Sequence, residues 1–175
     1  MTRDPAWFRT AATVVRGINI AFAAVASAIT VIIVLLVLLA VGTRIGGSPA
    51  LWPYDIAQFM LAYVVFLSLA PALESGHHVV VEFFDRLVPR PLRRYIGGIA
   101  MILVMIFGAI FFWQLWRTTA RAFSDGRLAI AAVAIPLKWI YIVGPIGVAQ
   151  LILTALVGLG RQIWPGTPSA TVVTH

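Results

Sequence analysis

Three histidines, six acidic side chains and no cysteine bound the chemistry open to this 175-residue chain. Without cysteine there are no disulfides, thiolate metal sites or thiol nucleophile. His77, His78 and Glu82 are the nearest approach to a convergent set of titratable groups. A zinc site needs more ligands than this cluster supplies. A di-haem bundle needs histidines on facing helices, whereas His77 and His78 are adjacent and His175 is the last residue in the sequence. The two neighbours fit histidines hydrogen-bonded at a helix end beside a membrane surface. The carboxylates fall in two groups, Asp55 and Asp125 on one side and Glu74, Glu82 and Asp85 on the other. No Ser/His/Asp set, carboxylate pair or glycine-rich phosphate loop after a strand occurs. No catalytic, cofactor-binding or metal-binding residue is therefore expected.

The elements that carry these residues are apolar. Hydrophobic residues make up 61% of the chain and charged ones 11%, and the mean hydropathy is +0.98. Soluble domains have about 45–50% and about 25%, so an ordinary soluble domain is excluded. Four long uncharged runs occur. Gly17 to Val41 spans 25 residues, of which fifteen are Ile, Leu, Val or Phe. Those fifteen favour insertion by about 5–9 kcal/mol. Ile56 to Leu73 follows, then Ile96 to Trp116 and Trp139 to Gly160. The expectation is an all-α membrane protein, a four-helix bundle with spans at about 17–41, 54–73, 96–116 and 137–160. Residues 17–161 would form one membrane domain. Residues 1–16 and 162–175 would be cytoplasmic tails.

Trp52, Pro53, Tyr54 and Asp55 make a helix entry: aromatics for the interface, Pro in the first turn and an acid at the positive dipole end. Pro71 and Gly76 mark the far end of that span. Val79 to Val88 then predicts a short amphipathic interfacial helix, with Val80, Phe83, Phe84, Leu87 and Val88 on one face. Leu128 to Ile135 is apolar but too short to span. The polar residues inside the runs are Asn19, Ser27, Thr30, Gln58, Ser68, Gln114, Gln150 and Thr154, all expected to hydrogen-bond between helices. Gly97, Gly98, Gly144, Gly147, Gly158 and Gly160, with Ala24 and Ala28, are expected to let helices approach closely.

The formal net charge of +7 comes from basic residues that flank the apolar runs. That pattern fits a lipid bilayer and carries no nucleic-acid signature. Eight basic residues lie on the side of the two tails and the second connection, against five on the other. Excess Lys and Arg mark the cytoplasmic side, so both termini are expected there.

Several short patterns occur in a fixed order. Arg44 closes the first run, and Trp52 and Asp55 open the second. The stretch Ala72-Leu73-Glu74-Ser75-Gly76-His77-His78-Val79-Val80-Val81-Glu82 follows. Leu87 to Arg94 is basic, and Ile135-Pro136-Leu137-Lys138-Trp139 opens the fourth run, with Gly147 beyond it. In this order the chain resembles the small membrane subunit, DctQ-like, of tripartite ATP-independent periplasmic (TRAP) transporters, over about Ile20 to Arg161. Gly76, His78, Val81 and Glu82 fit that family's motif, with Glu74 and Val80 where its members have arginines.

The resemblance implies a non-catalytic brace for a separate large membrane subunit in the bacterial inner membrane. That partner would move a carboxylate-type solute with sodium, delivered by a periplasmic binding protein. It also marks Arg44, Trp52, Asp55, Gly76, His78, Val81, Glu82, Pro136, Trp139 and Gly147 as structural or subunit-contact positions. The residues themselves agree, because no charge lies at the centre of a run and solute paths need such groups. An integral-membrane enzyme and a self-contained small channel or carrier are the rival readings.

Overall fold

Pro5 starts the first helix, with φ of −61° and its carbonyl accepting the Phe8 N–H at 2.9 Å. From there α1 runs Ala6–Ile45, 40 residues. At 1.5 Å per residue that is about 60 Å, twice a hydrocarbon core. The helix therefore begins eleven residues before the uncharged run at Gly17. Phe8 and Ala12 are buried and give that first stretch a packing face of its own.

α1 ends in a turn that needs glycine. The Gly46 N–H donates to Gly42 O at 3.0 Å, and Gly47 takes φ +79°. That left-handed conformation is open to glycine without a steric penalty. Thr43 fastens the reversal. Its hydroxyl donates to Ala40 O at 2.9 Å and accepts from the Ala50 N–H at 3.4 Å.

The computed structural model describes residues 5–85, 90–125 and 136–163, with side chains described for 5–75, 97–125 and 136–161. Within them α2 is Trp52–Asp85, α3 is Arg90–Asp125 and α4 is Leu137–Ile163. All four are long and apolar enough to cross a membrane. The all-α, four-span reading of the sequence is thus borne out.

Two expectations need correction. Pro71 and Gly76 do not end the second helix, and residues 79–85 continue α2 instead of forming a separate interfacial helix. A proline inside a helix removes one N–H donor, and in a transmembrane helix the neighbours absorb that loss. Residues 86–88 of the expected interfacial helix lie outside the described residues, as do the side chains of its apolar face. The other correction concerns α3, which extends past its apolar run at both ends and carries Arg90 to Arg94 and Arg117 to Asp125. Pro91 sits in its first turn, where a missing N–H costs nothing. The apolar stretch 128–135 lies outside the described residues.

The helices alternate in direction, and α4 is their hub. Half of its apolar stretch is buried, against 11% in α1 and α3 and 17% in α2. α1 packs on α2, α2 on α4 and α3 on α4, whereas α2 and α3 barely meet although they are consecutive. Stacked Phe66 and Phe111, 6.2 Å between centroids, bridge that gap. Outward, α1 and α3 present rows of aliphatic and aromatic side chains, as lipid- or partner-facing helices do.

Candidate functional site

At Gly147 α4 comes into direct contact with the backbone of α2. A Cβ on Gly147 would overlap the Phe66 carbonyl, lying 2.8 Å from its carbon. Beside it, a Cβ on Gly144 would sit 3.3 Å from Leu115 of α3. On the α1 side, a Cβ on Gly160 would enter the Phe8 ring. These glycines play the close-contact role expected of them. Ala24 and Ala28 do not, since both lie on the exposed face of α1.

A polar cluster joins α1, α2 and α4. Asn19 is 2% exposed. Its Nδ2 donates to Glu74 Oε2 at 2.7 Å and to Thr154 Oγ1 at 3.1 Å. Its Oδ1 accepts from Gln150 Nε2 at 2.8 Å. Gln150 Nε2 also donates to Val15 O at 3.2 Å, and the Thr154 hydroxyl donates to Gln150 O at 2.9 Å. Both amide hydrogens of Asn19 and its carbonyl oxygen are thus engaged. Buried polar groups are tolerated on those terms.

The bond to the Glu74 carboxylate is in the range of a charge-assisted one. Asn19, Gln150 and Thr154 link helices as expected. Thr30 and Ser68 do not; their hydroxyls return to Ala26 O and Val65 O of their own helices. Ser27, Gln58 and Gln114 face outward. Sequence reasoning placed Glu74 at a helix end but did not join it to this cluster. The signal was its place directly after the second apolar run, on a helix that does not stop at Pro71.

Two further bonds tie α4 to its neighbours. The Tyr63 hydroxyl of α2 donates to Trp139 O. The Thr119 hydroxyl of α3 donates to Tyr141 O at 3.1 Å. Pro145, inside α4, has no N–H to offer that carbonyl. Thr119 supplies the missing donor.

The motif positions fall at three levels. Arg44, Trp52, Asp55, Pro136 and Trp139 gather at the end of the bundle that carries the α1–α2 connection. Arg44 and Trp52 are exposed there, and Asp55 is half-buried in the first turn of α2. Pro136 O accepts the Trp139 N–H at 3.2 Å, and Trp139 is exposed beneath the Lys138 ammonium, 5.9 Å from its ring. Gly147 lies in mid-bundle. Gly76, His78, Val81 and Glu82 lie on the last stretch of α2, toward the opposite end; their side chains are outside the described residues. Among the described residues no group of three His, Asp or Glu side chains is placed to hold a metal ion. The fold therefore joins no motif residues into one reaction centre among those described. It builds helix contacts.

Residues 33–163 match the family described as tripartite ATP-independent periplasmic transporters, DctQ component. A curated relative is the sialic acid TRAP transporter permease protein SiaT of Haemophilus influenzae (strain 86-028NP), 27% identical over 100 residues. That match covers 57% of this chain and 16% of the relative, so it spans a small part of the larger permease. Four apolar helices and a family match over most of the described residues make this a multi-pass membrane protein, and the chain belongs to the DctQ component family of TRAP transporters.

Proposed function

We propose that this chain is the small, non-catalytic membrane subunit that braces the large membrane subunit of a TRAP-type transporter in a bacterial inner membrane. The large subunit would carry the sodium and solute sites, and a periplasmic binding protein would deliver the solute. Carboxylates are the expected solute class. Sialic acid, in the name of the Haemophilus relative, is one of them.

The observation that carries this reading is the fate of the buried polar side chains. Asn19, Gln150, Thr154 and Glu74 bond to one another across three helices. A solute or ion path needs polar groups that turn toward a passing guest. Groups that satisfy each other suit a static scaffold. Trp52 and Trp139, exposed at one end, suit anchoring at a membrane–water interface.

Reconstitution tests the proposal. Proteoliposomes would hold each membrane subunit alone or both together, with binding protein and a sodium gradient. Uptake is expected only with both. Uptake by this chain alone would overturn the scaffold reading, and undiminished uptake by the large subunit alone would overturn the need for a brace.

A further inference from the structure

The outer helices α1 and α3 lie on opposite sides of the α2–α4 pair and do not touch among the described residues. Their apolar runs are not level with each other, and α4 supplies the ruler. Asn19 of α1 bonds Thr154 and Gln150. Ile29, the middle of the run Gly17 to Val41, packs on the cluster that holds Val143. On the other side of α4, Gly108 of α3 meets Ile152, Leu115 meets Gly144 and Thr119 bonds Tyr141 O. Ile106, the middle of the run Ile96 to Trp116, is therefore level with Thr154. The two midpoints differ by about ten residues of α4, or about 15 Å along the bundle.

The tryptophans at one end slant in the same sense. Trp116 of α3 is level with Gly144, next to the Leu115 contact. Trp139 of α4 lies about 8 Å beyond it, and Trp52 of α2 about 9 Å beyond that. All three are exposed, as side chains at a membrane–water interface are.

An upright bundle cannot seat both runs. Exposed Arg117 is level with the middle of the α1 run, and exposed Arg16 with the middle of the α3 run. A bilayer centred on one outer helix would hold the other helix's arginine at its centre, where a charge is costly. A compromise depth would draw both arginines inward and leave exposed Leu38, Leu39 and Val41 of α1 beyond the hydrocarbon.

A tilt removes the conflict. Packed helices stand about 8–10 Å apart, which sets α1 and α3 about 25 Å apart across the bundle. A step of about 15 Å over that width is levelled by about 30°, within the range of membrane helices. We propose that the bundle sits aslant in the bilayer, tilted by about 30° in the plane through α1 and α3, so that each outer helix meets hydrocarbon over its own apolar run. Arg16 and Arg117 then reach water on opposite sides of the membrane. The extensions 6–16 of α1 and 118–125 of α3 follow them out of the hydrocarbon.

Four exposed positions test the slant. Ala28 of α1 and Trp116 of α3 are level with one another, and so are Gly17 of α1 and Ile106 of α3. The chain has no cysteine, so the single variants Ala28→Cys, Trp116→Cys, Gly17→Cys and Ile106→Cys each carry one nitroxide label without background. The labelled chains are reconstituted in phosphatidylcholine vesicles. Depth is read from power saturation by oxygen against a water-soluble nickel chelate. The labels at Ala28 and Ile106 are expected near the mid-plane, and those at Gly17 and Trp116 about 13 Å shallower. An upright bundle gives equal depths within each level pair, and that outcome would overturn the proposal.

The double variant Gly108→Cys with Ile152→Cys guards the register. Ile152 Cγ1, where a cysteine sulfur would stand, lies 2.9 Å from a Cβ at Gly108. The pair should therefore form a disulfide in the same vesicles on oxidation. Its failure to do so would show that α3 slides against α4 in lipid and levels the runs without a tilt, which would also overturn the proposal.

Discussion

At Gly147 a single hydrogen stands where any other residue would place a carbon against the Phe66 carbonyl of the facing helix. Backbone cannot step aside as a flexible side chain can. Gly147→Ala should therefore push α4 away from α2, at about 1–3 kcal/mol, the usual cost of overpacking. The check is the unfolding midpoint in detergent, with Gly17→Ala as the contrasting variant. Nothing lies within 4 Å of a Cβ at Gly17. There alanine should leave the midpoint unchanged or raise it by the equivalent of about 0.5–1 kcal/mol, its advantage over glycine inside a helix. Equal destabilisation by both variants would remove the close approach as the reason for Gly147. Asn19 works differently. Its bonds to three side chains are each worth about 0.6 kcal/mol by membrane double-mutant measurements, so their sum is modest beside the packing around them.

Among the elements, α4 shows how a membrane helix carries an internal proline. Pro145 leaves Tyr141 O without its helical donor, and Thr119 reaches across from α3 to bond that carbonyl. Thr119→Val should destabilise the bundle by about 0.6–1.7 kcal/mol, the range for such bonds in membranes. In a Pro145→Ala background the helix regains its own N–H, and the same substitution should cost less. A double-mutant cycle read by unfolding midpoint measures the difference, and zero coupling would show that Thr119 serves some other purpose.

The sequence made the existence of the four helices plain, because 18 or more uncharged apolar residues admit few other structures in lipid. Their ends were less legible. Residues 6–16 read as part of a tail and 117–125 as part of a connection, yet both continue helices already nucleated. Pro71 and Gly76 read as stops, and the helix passes through both. The central place of α4 was not legible at all. All four runs are apolar, and in lipid the inward face is marked by small residues such as Gly144 and Gly147, not by hydrophobic periodicity. Asn19, Gln150 and Thr154 could be read as linking groups one by one. That they share one centre with Glu74 depends on contacts 55 to 135 residues apart in sequence.

For the whole molecule, the alternating helices bring the start of α1 and the end of α4 to the same end of the bundle, where Phe8 meets Gly160. The basic residues then decide which side of the membrane that end faces. Arg9, Arg16 and Arg161 lie toward it, Arg3 precedes α1 in the sequence, and Arg86, Arg90, Arg93 and Arg94 fall in sequence between α2 and α3 or at the start of α3. The other end has Arg44, Arg117, Arg121 and Lys138, and Arg127 falls in the sequence between α3 and α4. Eight against five favours the end with both termini as cytoplasmic. The first helix often dominates orientation, and it points the same way, with three arginines before its apolar run and one after it. Trp52, Asp55 and Trp139 would then face the periplasm, the side from which the proposed binding protein would approach. Fusions of alkaline phosphatase within the Gly46-Gly47 turn and after His175 test this. Activity is expected only from the turn fusion, because the enzyme needs an oxidising periplasm to form its disulfides. An active C-terminal fusion beside an inactive turn fusion would invert the topology and place the tryptophan-bearing end in the cytoplasm, out of reach of any periplasmic partner.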